Sequence, residues 1–143
     1  MSEENKAKSR RVIDEAFNAG KFDALDDVVA ENVVDHDPAM PPGLPEGREG
    51  LKQMIGGYRA AFPDIRITTD EVIAEGDLVA MRWTARGTHK GDLMGISPTG
   101  KQATVTGITI DRFENGVIAE SWTNWDTLGL LQQLGVVPAM TPA

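Results

Sequence analysis

Cysteine is absent from this chain, which removes disulfides, zinc-thiolate sites and cysteine nucleophiles together. Positive charge is scarce: 14 Lys and Arg stand against 22 Asp and Glu, a net charge of −8. That balance disfavours nucleic acid and anionic membrane surfaces as partners. No apolar run approaches the roughly 18 residues of a membrane span, and the opening MSEENKAKSRR carries charges where a secretory leader needs an apolar stretch. A cytoplasmic location is the expectation. Histidine occurs only at His36 and His89, without the HxH, HxxxH or HExxH spacing of a metal site, so no metal is expected. GxGxxG after a strand, a P-loop, a GxSxG elbow and an EF-hand loop are all missing, and the corresponding nucleotide, phosphoryl-transfer, serine-hydrolase and calcium functions have no residues to rest on.

What remains is periodic sequence of one domain's length. The 143 residues fit a single domain, 1–143, that buries roughly two-thirds of its unfolded surface, with Val137–Ala143 as a loose tail. Over residues 5–19, Val12, Ile13, Ala16 and Phe17 fall on one helical stripe, which Gly20 ends. A short helix is expected from Phe22 to Ala30 and a brief strand over Val33–His36. Asp37–Gly47 contains Pro38, Pro41, Pro42 and Pro45, cannot be regular, and is a candidate lid. A third helix spans about Arg48 to Phe62 before Pro63.

From Ile65 the period changes to two. Ile65–Glu75, Leu78–His89, Gln102–Glu114 and Val117–Asp126 read as strands, and a helix follows over Thr127–Leu134. Helices followed by a meander of long strands predict an α+β fold, in which a strongly twisted, mostly antiparallel sheet curls around the helices into a cone. Its convex side needs cover, and with Trp125, Ile108 and Ile110 assigned there, a homodimer through the sheet is expected.

Strand alternation puts Glu120, Trp122, Asn124 and Asp126 on one face. If that face lines a hollow, Asp126 can exchange protons with a carbon acid, its pKa raised by desolvation beside Trp122. The competing role for Asp126 is to cap the helix starting at Thr127. His36 and His89 each end a strand beside a loop, where an imidazole can polarise a substrate carbonyl or simply hold the loop. Trp83, Trp122, Tyr58 and Phe62 either floor an aromatic ligand site or fill the core. Glu120 is expected to pair with an arginine. The Asn115-Gly116 turn decides what joins the Asp126 face: a two-residue turn brings Asp111, a three-residue bulged turn brings Arg112.

The order ENVVDHDP, GREGLKQMIGGYRAAFPDIRI, GDLVAMRWTARGTHKGDLMGISPTGKQ and ENGVIAESWTNWDTLGLLQQLG resembles the SnoaL-like polyketide cyclase (ester cyclase) family of the NTF2-like superfamily, over nearly the whole chain. The resemblance implies a curved sheet packed on three helices, a deep pocket, frequent dimers and no cofactor. It also implies an aspartate that acts as general acid/base in the intramolecular aldol closure of a polyketide ester, a position matched here by Asp126. On that basis Asp126 would take the proton from a small apolar or aromatic carbonyl substrate while His89 or His36 and Asn124 polarise its oxygen. Trp122, Trp83, Tyr58, Phe62 and Arg112 would complete the binding surface. Two other outcomes stay open: a dimeric, non-catalytic binder of small apolar molecules, and an epoxide hydrolase with an aspartate–arginine–aspartate relay.

Overall fold

A computed structural model describes residues 2–138; the last five residues of the expected loose tail lie outside the described residues. Helix α1 (Ser2–Arg11) runs directly into a π-helical turn over Val12–Phe17, in which the N–H of Asn18 donates to the carbonyl of Ile13 at 2.9 Å. The added residue per turn widens the helix and presents Val12, Ile13 and Phe17 to the interior. Gly20, at φ +70°, ends the segment as its position predicted. Helix α2 (Ala24–Val28) is shorter than the expected 22–30 because Val29 is already extended. Strand β1 therefore starts early and spans Val29–His36, pairing Val29 with Ile118 before its register shifts.

Helix α3 (Gly47–Ala61) is followed by β2 (Arg66–Glu75), β3 (Leu78–Thr88), β4 (Gln102–Glu114), β5 (Val117–Trp125) and α4 (Thr127–Gln133). The sheet order is β1-β5-β4-β3-β2; β1 is parallel to β5, and the other pairs are antiparallel. This is the α+β arrangement read from the sequence, with helices covering one face of a curled sheet. The core lies in that concave face, where Ile67, Val79, Met81, Trp83, Phe113 and Ile118 meet Ile13, Leu25, Val28, Met54 and Ile55. A smaller cluster of Phe62, Leu93, Ala103, Leu130 and Leu134 closes one end. The proline-rich segment is held down at both borders: Met40 and Leu44 pack on the core, and Gly50 lies so close to the carbonyl of Pro45 that no side chain fits between them. No helix among the described residues is long and apolar enough to cross a membrane.

The turn at Asn115-Gly116 has positive φ at both residues, 52° and 79°, the pattern of a two-residue type I′ hairpin. Glu114 accordingly pairs with Val117 and Phe113 with Ile118, but the register then slips so that Arg112 faces Glu120 and Asp111 faces Ser121. Neither of the two registers weighed for this turn describes the result. The turn is the two-residue form, and a bulge lying just beyond it, at Ala119, moves Arg112 rather than Asp111 opposite Glu120.

Candidate active site

The concave face encloses a cavity of about 150 Å³ whose lining is almost wholly apolar. Its walls come from the π-helical turn (Val12, Ile13, Phe17), α3 (Leu51, Met54, Tyr58), and the inward residues of β3, β4 and β5. Gly107 makes room for this arrangement. A Cβ built there would land within the ring of Trp83 and against the Cβ of Trp125, the two indoles that share the wall.

Three carboxylates reach this apolar space: Asp35 on β1, Asp37 just after it, and Asp111 on β4. Asp111 is buried and satisfied on both oxygens, accepting from Ser9 Oγ at 2.8 Å and Ser121 Oγ at 2.7 Å. Burial raises its pKa, and the two hydroxyls oppose the rise. Asp37 accepts the backbone N–H of Ala39 at 2.9 Å, and burial raises its pKa against that bond. Asp35 is pushed up to about 6, first by burial and then by the negative charges of Asp37 and Asp111, with His36 acting the other way. A carboxyl held near neutrality can both accept and return a proton. A second polar line crosses the wall: the indole N–H of Trp83 donates to Thr109 Oγ1 at 3.0 Å, which in turn lies 3.0 Å from Thr123 Oγ1.

The structure divides the residues singled out in the sequence. Tyr58, Phe62 and Trp83 line the cavity. Asp126, Trp122, Asn124, Arg112, His36 and His89 do not, and the expected placement of each is corrected. The face of β5 that carries Glu120, Trp122 and Asn124 is the convex one, whereas Ser121, Thr123 and Trp125 point inward, so Trp125 also changes sides. Asp126 is exposed at the end of that outer row and caps α4, accepting from the N–H of Gly129 at 2.8 Å. A Cβ at Gly129 would collide with that carboxylate, so the glycine keeps the cap compact.

His36 is stacked on Trp122 outside the sheet, with ring centroids 5.3 Å apart, and its Nε2 lies 2.7 Å from Glu120. Arg112 joins the same outer group through Glu120 and Glu114, each at 3.3 Å. Its guanidinium is therefore engaged with surface carboxylates instead of a substrate. His89 is fully buried but serves the loop after β3: its Nδ1 lies 3.1 Å from Thr99 Oγ1 and 3.2 Å from the N–H of Thr99, and its ring tilts against Phe62.

Asp35 and Asp37 flank His36 and are not among the residues singled out in the sequence. The signal that finds them is the parity at the end of β1: after the register shift that follows Val29, Val33 is apolar and buried, so Asp35 and then Asp37 continue its inward row. Among the described residues no group of three or more acidic or histidine side chains has the arrangement of a metal site.

The family described as SnoaL-like polyketide cyclase matches residues 7–134. Nogalonic acid methyl ester cyclase of Streptomyces nogalater is 28% identical over 122 residues, covering 84% of this chain and 90% of that protein. The crystal structure of wild-type IdmH from Streptomyces antibioticus superposes with a TM-score of 0.79 at 36% identity, covering 92% of this chain and 98% of that one. A SnoaL-like protein from Jannaschia sp. CCS1 reaches a TM-score of 0.85 at 21% identity over 96% of this chain and 95% of its own, and speaks for the fold alone.

Proposed function

The chain belongs to the SnoaL-like polyketide cyclase family, and from that premise we propose that it closes a ring in a small polyketide-like carbonyl substrate by cofactor-independent acid/base chemistry, with Asp35 as the proton-transferring group. The carboxylate of Asp35 takes a proton from the carbon between two carbonyls, and the resulting enolate carbon attacks a third, more distant carbonyl of the same molecule. The alkoxide formed then recovers the proton from Asp35, so the enzyme ends as it began. The apolar walls hold the two reacting carbons together and exclude water, which replaces a bimolecular encounter with an intramolecular one.

The observation that carries this reading is a carboxyl in an apolar cavity with its pKa near 6. Asp111 is less suited because both its oxygens already accept hydroxyl protons, and Asp126 because its carboxylate is engaged in capping α4 outside the cavity. Asp35→Asn keeps the shape and removes the base. With nogalonic acid methyl ester, for which the S. nogalater relative is named, as the first substrate, turnover should fall by about 10²- to 10⁴-fold. Undiminished turnover in the variant would overturn the assignment. The convex face carries Val34, Ile73, Ile108, Ile110 and Trp122 exposed, and a second copy of the chain packed there is proposed to cover it; light scattering on the purified protein tests this.

A further inference from the structure

Three buried side-chain polar atoms among the described residues have no hydrogen-bond partner: Tyr58 OH, Thr69 Oγ1 and His89 Nε2. Only Tyr58 lines the cavity. Leaving a buried hydroxyl or ring nitrogen unbonded is destabilising, so each such group calls for an explanation. Of the other donors near the cavity, Trp83 donates to Thr109, and Ser9 and Ser121 donate to Asp111, while Arg86, also on the lining, is exposed rather than buried. The ring of Tyr58 is held edge-on against Trp125, with centroids 6.1 Å apart at 84°, so its hydroxyl is carried on a fixed arm from α3.

We propose that Tyr58 is the substrate-facing hydrogen-bond donor of this cavity, recognising the carbonyl oxygen of an uncharged ring-bearing ligand and stabilising that oxygen as it gains negative charge. The proposal rests on taking this cavity as the substrate site. Burial and the charge of Asp37 both raise the Tyr58 pKa, which keeps the phenol protonated and able to donate at any working pH. Asp35, Asp37 and Asp111 share the lining with one cation, the exposed Arg86, and the excess of acids selects against a ligand that is already anionic. Donor and base then divide the work: the hydroxyl on α3 takes the oxygen, the carboxylate on β1 takes the proton, and charge developing on oxygen meets a donor already in place.

The test uses binding, not turnover, so that it stands apart from the fate of the Asp35 assignment. Carbonyl-labelled 1-tetralone and its hydrocarbon counterpart tetralin are each measured against the wild-type protein and Tyr58→Phe, by displacement of the neutral dye N-phenyl-1-naphthylamine. Isotope-edited infrared spectra of the bound ketone are recorded in parallel. Tyr58→Phe should weaken 1-tetralone by roughly five- to tenfold, the worth of one neutral hydrogen bond, leave tetralin unchanged, and move the bound carbonyl stretch to higher frequency. An unchanged stretch and affinity overturn the proposal. So does an equal loss for both ligands, which would make Tyr58 a wall, and so does exclusion of both ligands from the wild-type cavity. Asp35→Asn, carried through the same measurements, should keep the wild-type carbonyl frequency. If that variant also retains full turnover, the acid/base assignment fails while the donor assignment survives.

Discussion

The two faces of the sheet treat the same chemistry in opposite ways. On the convex face Glu120 lies between His36 and Arg112, and its pKa is lowered, first by the hydrogen bond from His36 and then by that from Arg112. On the concave face Asp35, Asp37 and Asp111 are all raised by burial. Asp35 and His36 are adjacent in sequence, as are Asp111 and Arg112, or Glu120 and Ser121; strand alternation sends one of each pair to water and the other to the cavity. The basic members of these pairs go outward, while inside Asp111 has two hydroxyls and Asp37 a backbone N–H as partners, and the charges of both push the Asp35 pKa up. A surface network of this kind adds little stability, whereas the inner group stores an unfavourable charge where it can be used.

The contrast is broken most severely by the Asp35→Asn change already described, since it removes the inner base while leaving the outer network whole. The same variant sharpens it in a second way. The folded pKa of Asp35 is raised from 3.8 to about 6, so between those values the native state holds a proton that the unfolded chain has released. Stability from this group therefore falls as pH rises through that window and stays reduced above it. Asp35→Asn should raise the unfolding free energy by about 1–3 kcal/mol at pH 8 and change it little below pH 4, as read from urea titrations at the two pH values. Glu120→Gln should do the reverse: its pKa is lowered, so its contribution is present at neutral pH and disappears on acidification, and the variant should melt slightly lower at pH 7 but not in acid.

A change of comparable size is expected from Ser121→Ala, which strips one donor from a buried carboxylate and should cost about 1–3 kcal/mol at neutral pH. The Ser121 hydroxyl favours the charged form of Asp111 against the rise caused by burial, so the gap between variant and parent should narrow as the pH is lowered. The smallest effect belongs to Asp126→Ala. Removing an N-cap costs about 1 kcal/mol, visible as a lower melting temperature, and turnover should be preserved because the carboxylate lies outside the cavity. Loss of turnover with unchanged melting would return Asp126 to the chemistry and undo the division between faces.

Much of the fold was legible because it rests on local periodicity. The stripe through Val12 and Phe17, the change to period two at Ile65, and the Asn115-Gly116 turn all mark their elements, and the limits of α3, α4 and β2 to β5 fall close to those read from the sequence, whereas α2 is shorter and β1 starts four residues earlier. The site was less legible because periodicity says which residues share a face without saying which face is inside. On β5 the outer row of Glu120, Trp122, Asn124 and Asp126 holds an indole and two acids and resembles a site, while the inner row of Ser121, Thr123 and Trp125 looks unremarkable. Exposed Ile108 and Ile110 on β4 blur the distinction further. The bulge at Ala119 has no signature in the residue types around it, and it alone sets Asp111 opposite Ser121. The usable signal lay unread in β1, where buried Val33 sets the inward parity on which Asp35 falls.

The hydrogen atom that stands for a side chain at position 107 sets the bore of the whole vessel. Any larger group would have to evict one indole or the other, so attempts to retune the ligand range should vary Leu51, Met54 or Val105 around that gap and leave the gap itself alone. A dimension that governs what enters is thus written as an omission, at a residue that is not itself part of the lining.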